Sequence, residues 1–315
     1  MSTPQPQQAA PPGQLQPHAQ ESVPESGDGP GSGGLAPVTV RPAGLGDALR
    51  SEWTKIRSVR STTWTLGVML VVVVGIGLLT AWGLNDSAWV GMPLLAPGLF
   101  GIMLGQVCIL TLGVLVITSE YGTGMIRTTF TACPRRSRVL TAKAVVFFLV
   151  AFVMTATACT ITALVNWTVL SDQKVPPFLR GEAAGAFKDS VKDGRLIANT
   201  GEWLGATVGA ALYVALLGLL ALAVGALLRH SAGAITTMLG VVLLPLLLAL
   251  FMQTESLKTV QEKLIEYSAL NALASFYRIP MNGGSGNGWD MLGILAAVTA
   301  VVLGGAYALM SKRDV

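Results

Sequence analysis

The chain has 315 residues, of which 52% are hydrophobic and only 12% are charged, and its mean hydropathy is +0.60. Soluble globular domains carry about 25% charged residues, so this composition excludes most soluble enzymes. The charged residues are also clustered, and six apolar stretches of at least 20 residues contain none. Because a charge-free apolar run of about 18 residues or more is typical of a membrane-spanning helix, the sequence predicts an all-α polytopic membrane protein.

The first 45 residues differ in composition from the rest of the chain. They contain nine of the 16 prolines and no Lys or Arg before Arg41. Such a segment cannot bury enough apolar surface to offset the entropy lost on ordering it. The sequence therefore predicts a disordered cytoplasmic tail over 1–45 and a six-span domain over 46–315. A passive extension and a docking role both remain open for the tail.

A short amphipathic segment, LGDALRSEWTKIRSVRST, precedes the first predicted span. Its apolar residues recur at helical spacing on one face, and basic residues occupy the rest of the cylinder. Basic residues beside a Trp are typical of a helix that lies in the membrane surface. We expect such an interfacial helix, with Asp47 as its N-cap; an ordinary cytoplasmic cap is the alternative. Its expected contacts with the membrane surface are Trp53, Lys55, Arg57 and Arg60.

The hydropathy pattern places six spans at 64–84, 94–118, 144–170, 203–228, 231–254 and 291–310. Each is long enough to cross a hydrocarbon core of about 30 Å. None contains Asp, Glu, Lys, Arg or His, which argues against a proton-coupled carrier and an intramembrane enzyme. The Gly pairs at 101/105 and 205/209 are expected to allow close helix approach. Gln106, at the middle of the second span, is expected either to hydrogen-bond a neighbouring helix or to line a transport path.

The distribution of Lys and Arg predicts the orientation of the spans. Residues 41–63 and 119–143 each contain five basic residues, whereas 85–93 contains none. Short cytoplasmic loops carry the excess of Lys and Arg, so both termini and the second-to-third loop are expected in the cytoplasm. This topology predicts Ser87 and Ser190 outside, and Ser137 and Ser311 inside. The outer segment 171–202 holds five basic and five acidic residues.

The inner loop over 119–143 carries more than positive charge. Tyr121, Met125 and Phe130 form an apolar face, which suits docking to a partner protein; a simple membrane anchor is the alternative. Glu120 is the only acidic residue between Asp86 and Asp172, and a helix would bring it near Arg127, seven residues on. Since exposed ion pairs contribute only about 0–1 kcal/mol, loss of Glu120 is expected to leave the protein folded.

No catalytic or metal-binding motif accompanies these features. The three cysteines lack a paired spacing, the two histidines are far apart, and no phosphate-binding Gly-rich loop with Lys occurs. The chain is therefore expected to hold no catalytic residue, no metal and no cofactor of its own.

Two segments together resemble the permease subunits of ABC transporters of the type-2 exporter family, as found in actinobacteria. They are SEWTKIRSVRSTTWTL before the first span and EYGTGMIRTTFTACPRRSRVLTAK after the second. The resemblance covers roughly residues 47–315. It implies that a separate ATP-binding cassette subunit, holding ATP and magnesium, docks on the inner face. It also implies an outer helical region at 255–280, whereas the long charged segment 171–202 departs from the family pattern.

The resemblance implies that residues of the inner loop couple this chain to the ATP-binding subunit: Glu120, Tyr121, Gly122, Gly124 and Arg127, to which we add Phe130 as an aromatic anchor. The expected function is that of the membrane-spanning subunit of an exporter in the plasma membrane. It would work as a dimer with a second copy or a sister permease, because six helices rarely enclose a path for a bulky solute. The alternative is a polytopic protein that transports nothing, such as a sensor or an assembly factor.

Overall fold

The computed structural model of the chain describes residues 44–85, 91–125, 136–176, 190–192, 194–252, 254–279 and 288–312. Of the tail predicted over 1–45, residues 1–43 lie outside the described residues, whereas Leu45 already belongs to the first helix. The helices are α1 Leu45–Ser58, α2 Arg60–Asn85, α3 Gly98–Gly122, α4 Arg136–Leu170, α5 Thr200–Leu228, α6 Ser231–Phe251, α7 Lys258–Glu266, α8 Ala269–Phe276 and α9 Trp289–Lys312.

The prediction of an all-α membrane protein with six spans is confirmed. Within the described residues, six helices are long and apolar enough to cross a membrane: α2, α3, α4, α5, α6 and α9. The helix ends differ from the predicted ends. Helix α4 begins eight residues before the expected 144, and α3 continues four residues beyond 118. A hydropathy boundary stops at the first charge, whereas the backbone hydrogen-bond ladder continues through it.

Helices α3 and α5 form the centre of the bundle. Helix α3 packs against α2, α4 and α5, while α5 also contacts α6 and α9. By contrast, α6 and α9 keep most of their apolar surface exposed, as expected for helices that face lipid. One turn of α5, Gly205–Gly209, is a π-helix.

Glycines set the closest helix approaches, as the sequence predicted. A Cβ on Gly101 or Gly105 would collide with Val73 of α2, and one on Gly205 or Gly209 would collide with Phe276 at the end of α8. The collision at Gly101 is with the main-chain oxygen of Val73, which cannot move aside as a side chain can. Small residues thus allow close van der Waals packing between helix backbones. Such packing matters in a bilayer, because the hydrophobic effect does not favour contact between helices over contact with lipid.

A short two-stranded sheet lies between α4 and α5, at the end of the bundle opposite to α1. Val191–Lys192 pairs antiparallel with Arg195–Leu196, and the Val175 amide donates to the Gly194 carbonyl at 2.9 Å. Ser190 is buried and donates to the Glu202 carboxylate at 2.5 Å. Within the 255–280 segment, a 3₁₀ turn at Glu255–Leu257 leads into α7 and the buried helix α8.

Candidate coupling site

Four charged side chains meet where α1, the end of α3 and the start of α4 come together. We call Glu52, Lys55, Glu120 and Lys143 the charged cluster. Lys143 Nζ lies 2.6 Å from Glu52 Oε2 and 2.9 Å from Glu120 Oε1. Lys55 Nζ lies 2.8 Å from Glu52 Oε1 and 2.9 Å from the same Glu120 oxygen. Each lysine therefore bridges both carboxylates, and the four formal charges sum to zero.

Three members of the charged cluster are buried. Lys143 is 2% exposed, Glu52 is 3% exposed and Glu120 is 6% exposed. Charges so far from water are tolerated only when they are paired and hydrogen-bonded. Lys55 is the most exposed member, with 30% of its side chain in contact with solvent. Partial burial by itself lowers the pKa of Lys55, but its hydrogen bonds to Glu52 and Glu120 outweigh that effect and raise the pKa above its ordinary value.

The secondary structure positions these four groups. Glu52 and Lys55 are three residues apart on α1, so they share one face of that helix. Glu120 belongs to the last turn of α3, and Lys143 lies two turns inside α4. A break at Val59, whose backbone is extended, separates α1 from α2. The ion pairs of the charged cluster therefore link α1 to the spans α3 and α4.

The predicted N-cap of α1 was wrong by three residues. Gly44 occupies the cap position, and Asp47 accepts a hydrogen bond from the Gly44 amide at 2.9 Å from within the first turn. Asp47 still stabilises the helix start, because its charge lies at the positive end of the helix dipole. The one buried residue of α1 is Glu52 rather than a member of its apolar face.

The predicted interfacial residues divide into two groups. Trp53, Arg57 and Arg60 are exposed, with 52% of Trp53 accessible, while Lys55 turns toward the charged cluster. The apolar residues Leu45 and Val59 are exposed as well. Ala48, Leu49 and Ile56 are half-buried, so the described protein covers the apolar face of α1 only in part. The exposed remainder suits contact with lipid.

Tyr121 follows Glu120 and is covered by the turn between α5 and α6. The Arg229 guanidinium lies 5.2 Å from the centre of the Tyr121 ring, within the range of a cation–π contact. Arg229 caps α5 in a left-handed conformation, with φ 54°, and its amide donates to Gly225 at 2.9 Å. The end of α3 therefore contacts the turn between α5 and α6 at Tyr121, which is half-buried.

The segment Gly122–Met125 continues outward from Tyr121 and is exposed. Gly124 has φ +72°, a conformation that favours glycine, and nothing lies near the position of a Cβ on Gly122. Two further predicted coupling residues, Arg127 and Phe130, lie outside the described residues, as does the predicted pair between Glu120 and Arg127. The observed partners of Glu120 are Lys55 and Lys143.

Gln106 lies in the protein interior, 4% exposed, so it does not face lipid. Its Oε1 accepts no hydrogen bond within the described part of the chain, and the same holds for Thr155 Oγ1 of α4. The predicted helix-to-helix hydrogen bond is therefore not formed at this oxygen. The alternative, a side chain that lines a path, stays a prediction.

Glu52 and Lys143 belong to the charged cluster, although the sequence singled out neither of them. Lys143 directly precedes the predicted third span and Glu120 follows the predicted second span by two residues, so both lie at the predicted inner boundary, which favours pairing of their opposite charges. Glu52 lies 12 residues before the predicted first span and carries no such signal.

Comparison with known proteins adds no relative. No protein-family model matches the chain, and no curated protein matches it. The residues themselves thus carry the argument for function.

Proposed function

We propose that this chain is the membrane-spanning subunit of an ATP-driven exporter in the plasma membrane. It would form the translocation path with a second copy or a sister permease, and a separate ATP-binding cassette subunit would bind at the predicted inner face. The proposal starts from the resemblance of residues 51–66 and 120–143 to type-2 permeases. The charged cluster is the structural observation that supports it best.

The charged cluster suits a coupling role because it joins three elements that a moving partner must displace together. A partner that contacts the exposed segment Gly122–Met125 would pull directly on the end of α3. Since Glu120 bonds to lysines of α1 and α4, such a displacement cannot stay in α3 alone. A buried ion pair is weak support for stability but fixes the register of the elements it joins.

Tyr121 offers the anchor of the proposed contact. Aromatic side chains dominate the binding energy of protein interfaces, and this ring lies between Arg229 and the exposed Gly122–Met125 segment. Phe130 is the second expected anchor. A non-transporting membrane protein has no need of an ATP-binding partner, so binding of that partner separates the two functions.

The test is purification of the tagged full-length chain from its own membranes, with a search for a co-purifying ATP-binding chain and an assay of ATPase activity in the purified complex. Tyr121→Ala is expected to weaken the complex at least about 30-fold, the effect of losing an interface hot spot of about 2 kcal/mol. Tyr267→Ala is the control, because the Tyr267 ring also lies beside a cation, with its centre 5.7 Å from Lys263 Nζ, although Tyr267 is exposed and Tyr121 is half-buried. We expect the control to bind as the wild type does.

Two outcomes count against the proposal. If no ATP-binding chain co-purifies with the wild-type protein, the exporter assignment fails and the sensor or assembly factor is favoured. If the complex forms but Tyr121→Ala and Tyr267→Ala behave alike, the coupling surface is misplaced.

A further inference from the structure

The corner between α1 and α2 contains an open hollow of about 560 Å³. Its walls are the side chains of Arg57, Ser58, Arg60, Thr63 and Trp64. The hollow thus combines two guanidinium groups, two hydroxyl groups and one indole ring. Guanidinium groups are the preferred protein ligands of phosphate oxygens, and hydroxyl groups add hydrogen-bond donors.

Neither arginine of the hollow is neutralised by the protein. Within the ranges that the structure describes, Arg57 and Arg60 form no ion pair, and both are exposed. The nearest carboxylate on α1, that of Glu52, is buried and occupied by Lys55 and Lys143. The charged cluster therefore occupies the α1 carboxylate nearest in sequence to Arg57, and the two arginines leave a net charge of +2 at the hollow.

A stripe of exposed residues on α2 leads away from the hollow. Arg60, Trp64, Val68 and Val71 follow one another at helical spacing, and 74% of Trp64 and 70% of Val71 are exposed. The stripe therefore changes from cationic to aromatic to aliphatic along one face. That order matches the phosphate, the glycerol region and the acyl chain of a phospholipid.

The same face also fixes the depth of the hollow in a bilayer. Trp82 lies at the far end of the stripe and is 69% exposed. Eighteen residues of helix separate the two tryptophans, a distance of about 27 Å at 1.5 Å per residue, close to the hydrocarbon thickness of about 30 Å. Tryptophan is enriched at both membrane interfaces, so Trp64 places the hollow at the level of the phosphate groups.

We propose that this hollow binds the phosphate of an anionic phospholipid, whose acyl chain lies along α2 over Val68 and Val71. A soluble phosphate compound shares the headgroup chemistry but has nothing to cover the aliphatic part of the stripe. A zwitterionic lipid brings an ammonium group that the two arginines repel. The site does not depend on the proposed transport function, because it uses neither the coupling surface nor a partner chain.

The experiment is native mass spectrometry of the full chain in detergent, with phosphatidylglycerol, phosphatidylcholine and glycerol phosphate as probes. The wild-type protein is expected to retain phosphatidylglycerol in preference to phosphatidylcholine and to ignore glycerol phosphate. The double variant R57Q/R60Q is expected to bind phosphatidylglycerol about 30-fold more weakly, since each basic residue near an anionic lipid is worth about 1 kcal/mol. The variant R57K/R60K keeps the charge and should retain part of the binding.

A matched control removes two positive charges elsewhere. Arg195 and Lys258 are exposed residues outside the spans, and R195Q/K258Q lowers the net charge by the same amount. If this control loses as much lipid as R57Q/R60Q, attraction is a property of overall charge and the site is refuted. Equal binding of the two lipids by the wild type refutes it without any variant. If glycerol phosphate binds as tightly as phosphatidylglycerol, the acyl chain adds nothing to binding. The hollow would then be a site for a soluble phosphate compound, and the lipid proposal would be refuted.

Discussion

At the scale of single residues, the two lysines of the charged cluster differ in their exposure to solvent. Lys143 is enclosed, whereas almost a third of the Lys55 side chain reaches solvent. Both lysines contact the same two carboxylates, so their chemistry is equivalent and only their access to water differs. The cost of removing each one should follow that difference, because water can take the place of the partly exposed Lys55 beside the carboxylates but cannot reach the enclosed position of Lys143.

We expect Lys143→Met to destabilise the protein by about 3 kcal/mol or more, the usual cost of breaking a buried ion pair. Lys55→Met should cost about 1 kcal/mol or less, since the Lys55 position is partly exposed and water can solvate the carboxylates there. The midpoint of thermal unfolding in detergent measures both. Adding Glu52→Gln to Lys143→Met restores neutrality and should recover part of the loss. Equal shifts for the two lysines would contradict this account.

The same geometry revises the expected result of substituting Glu120. As half of an exposed pair, Glu120 would be dispensable for folding; as a buried carboxylate between two lysines, it is not. Replacement by Ala would leave Lys143 with one carboxylate and remove packing, so Glu120→Gln is the better probe of coupling. The stability of each variant has to be measured before the ATPase activity of the proposed complex is interpreted.

The prominence of Glu120 could be predicted from the sequence, but its partners could not. The pairs that Glu120 forms cross 65 residues to Lys55 and 23 residues to Lys143. Hydropathy and helical spacing describe neighbours along one helix, and they contain no information on which helices touch. The nearby Arg127 was the only partner that local spacing could suggest.

At the scale of elements, the glycine contacts between α2 and α3 lead to a second prediction. Gly101→Ala forces a Cβ against the main-chain oxygen of Val73, which can yield only if the helices separate. Overpacking of this kind costs about 1–3 kcal/mol. Gly75→Ala is the control, because it lies in α2 and has no atom within 4 Å of its Cβ position.

In that control, alanine has the better helix propensity and should be neutral or stabilising by up to about 1 kcal/mol. Thermal unfolding of the two variants side by side makes the comparison. A Gly101→Ala protein as stable as Gly75→Ala would mean that α2 and α3 do not pack as described.

The sequence predicted the existence of every long helix but not all of their ends or irregular turns. Hydropathy cannot reveal that α4 starts at Arg136, because its first two turns are basic and belong to the helix only through their hydrogen bonds. The π-turn at Gly205–Gly209 has no periodic signal of its own either. It coincides with the close approach of Phe276, which the two glycines allow.

At the scale of the whole molecule, the charged cluster constrains the path of the chain through the membrane. Glu52 precedes α2, Glu120 ends α3 and Lys143 lies near the start of α4, yet Lys143 Nζ lies 2.6 Å from the Glu52 carboxylate and 2.9 Å from the Glu120 carboxylate. The three successive spans must therefore run in alternating directions. This agrees with the pattern of Lys and Arg, although the pattern alone assigns which end is cytoplasmic.

Cysteine labelling tests that assignment, with one change of site. Ser190 is unsuitable because it is buried and bonded to Glu202, so Asp172, whose side chain is 96% exposed, replaces it as the outer reporter. Ser137 is exposed and remains the inner reporter. Both substitutions go into a Cys133→Ser background, since Cys133 belongs to the predicted inner loop.

We expect an impermeant maleimide to label Asp172→Cys in intact cells and Ser137→Cys only after permeabilisation. Helix α4 separates the two positions, and its 34-residue apolar segment is about 51 Å long at 1.5 Å per residue, more than the full thickness of a bilayer. Labelling of both reporters in intact cells would therefore contradict the crossing of α4 itself. Reversed labelling would keep the six spans but place Arg57, Arg60 and the charged cluster outside. That result would remove the proposed docking of an ATP-binding subunit, because ATP-driven partners act from the cytoplasm, while the lipid site would move to the other leaflet.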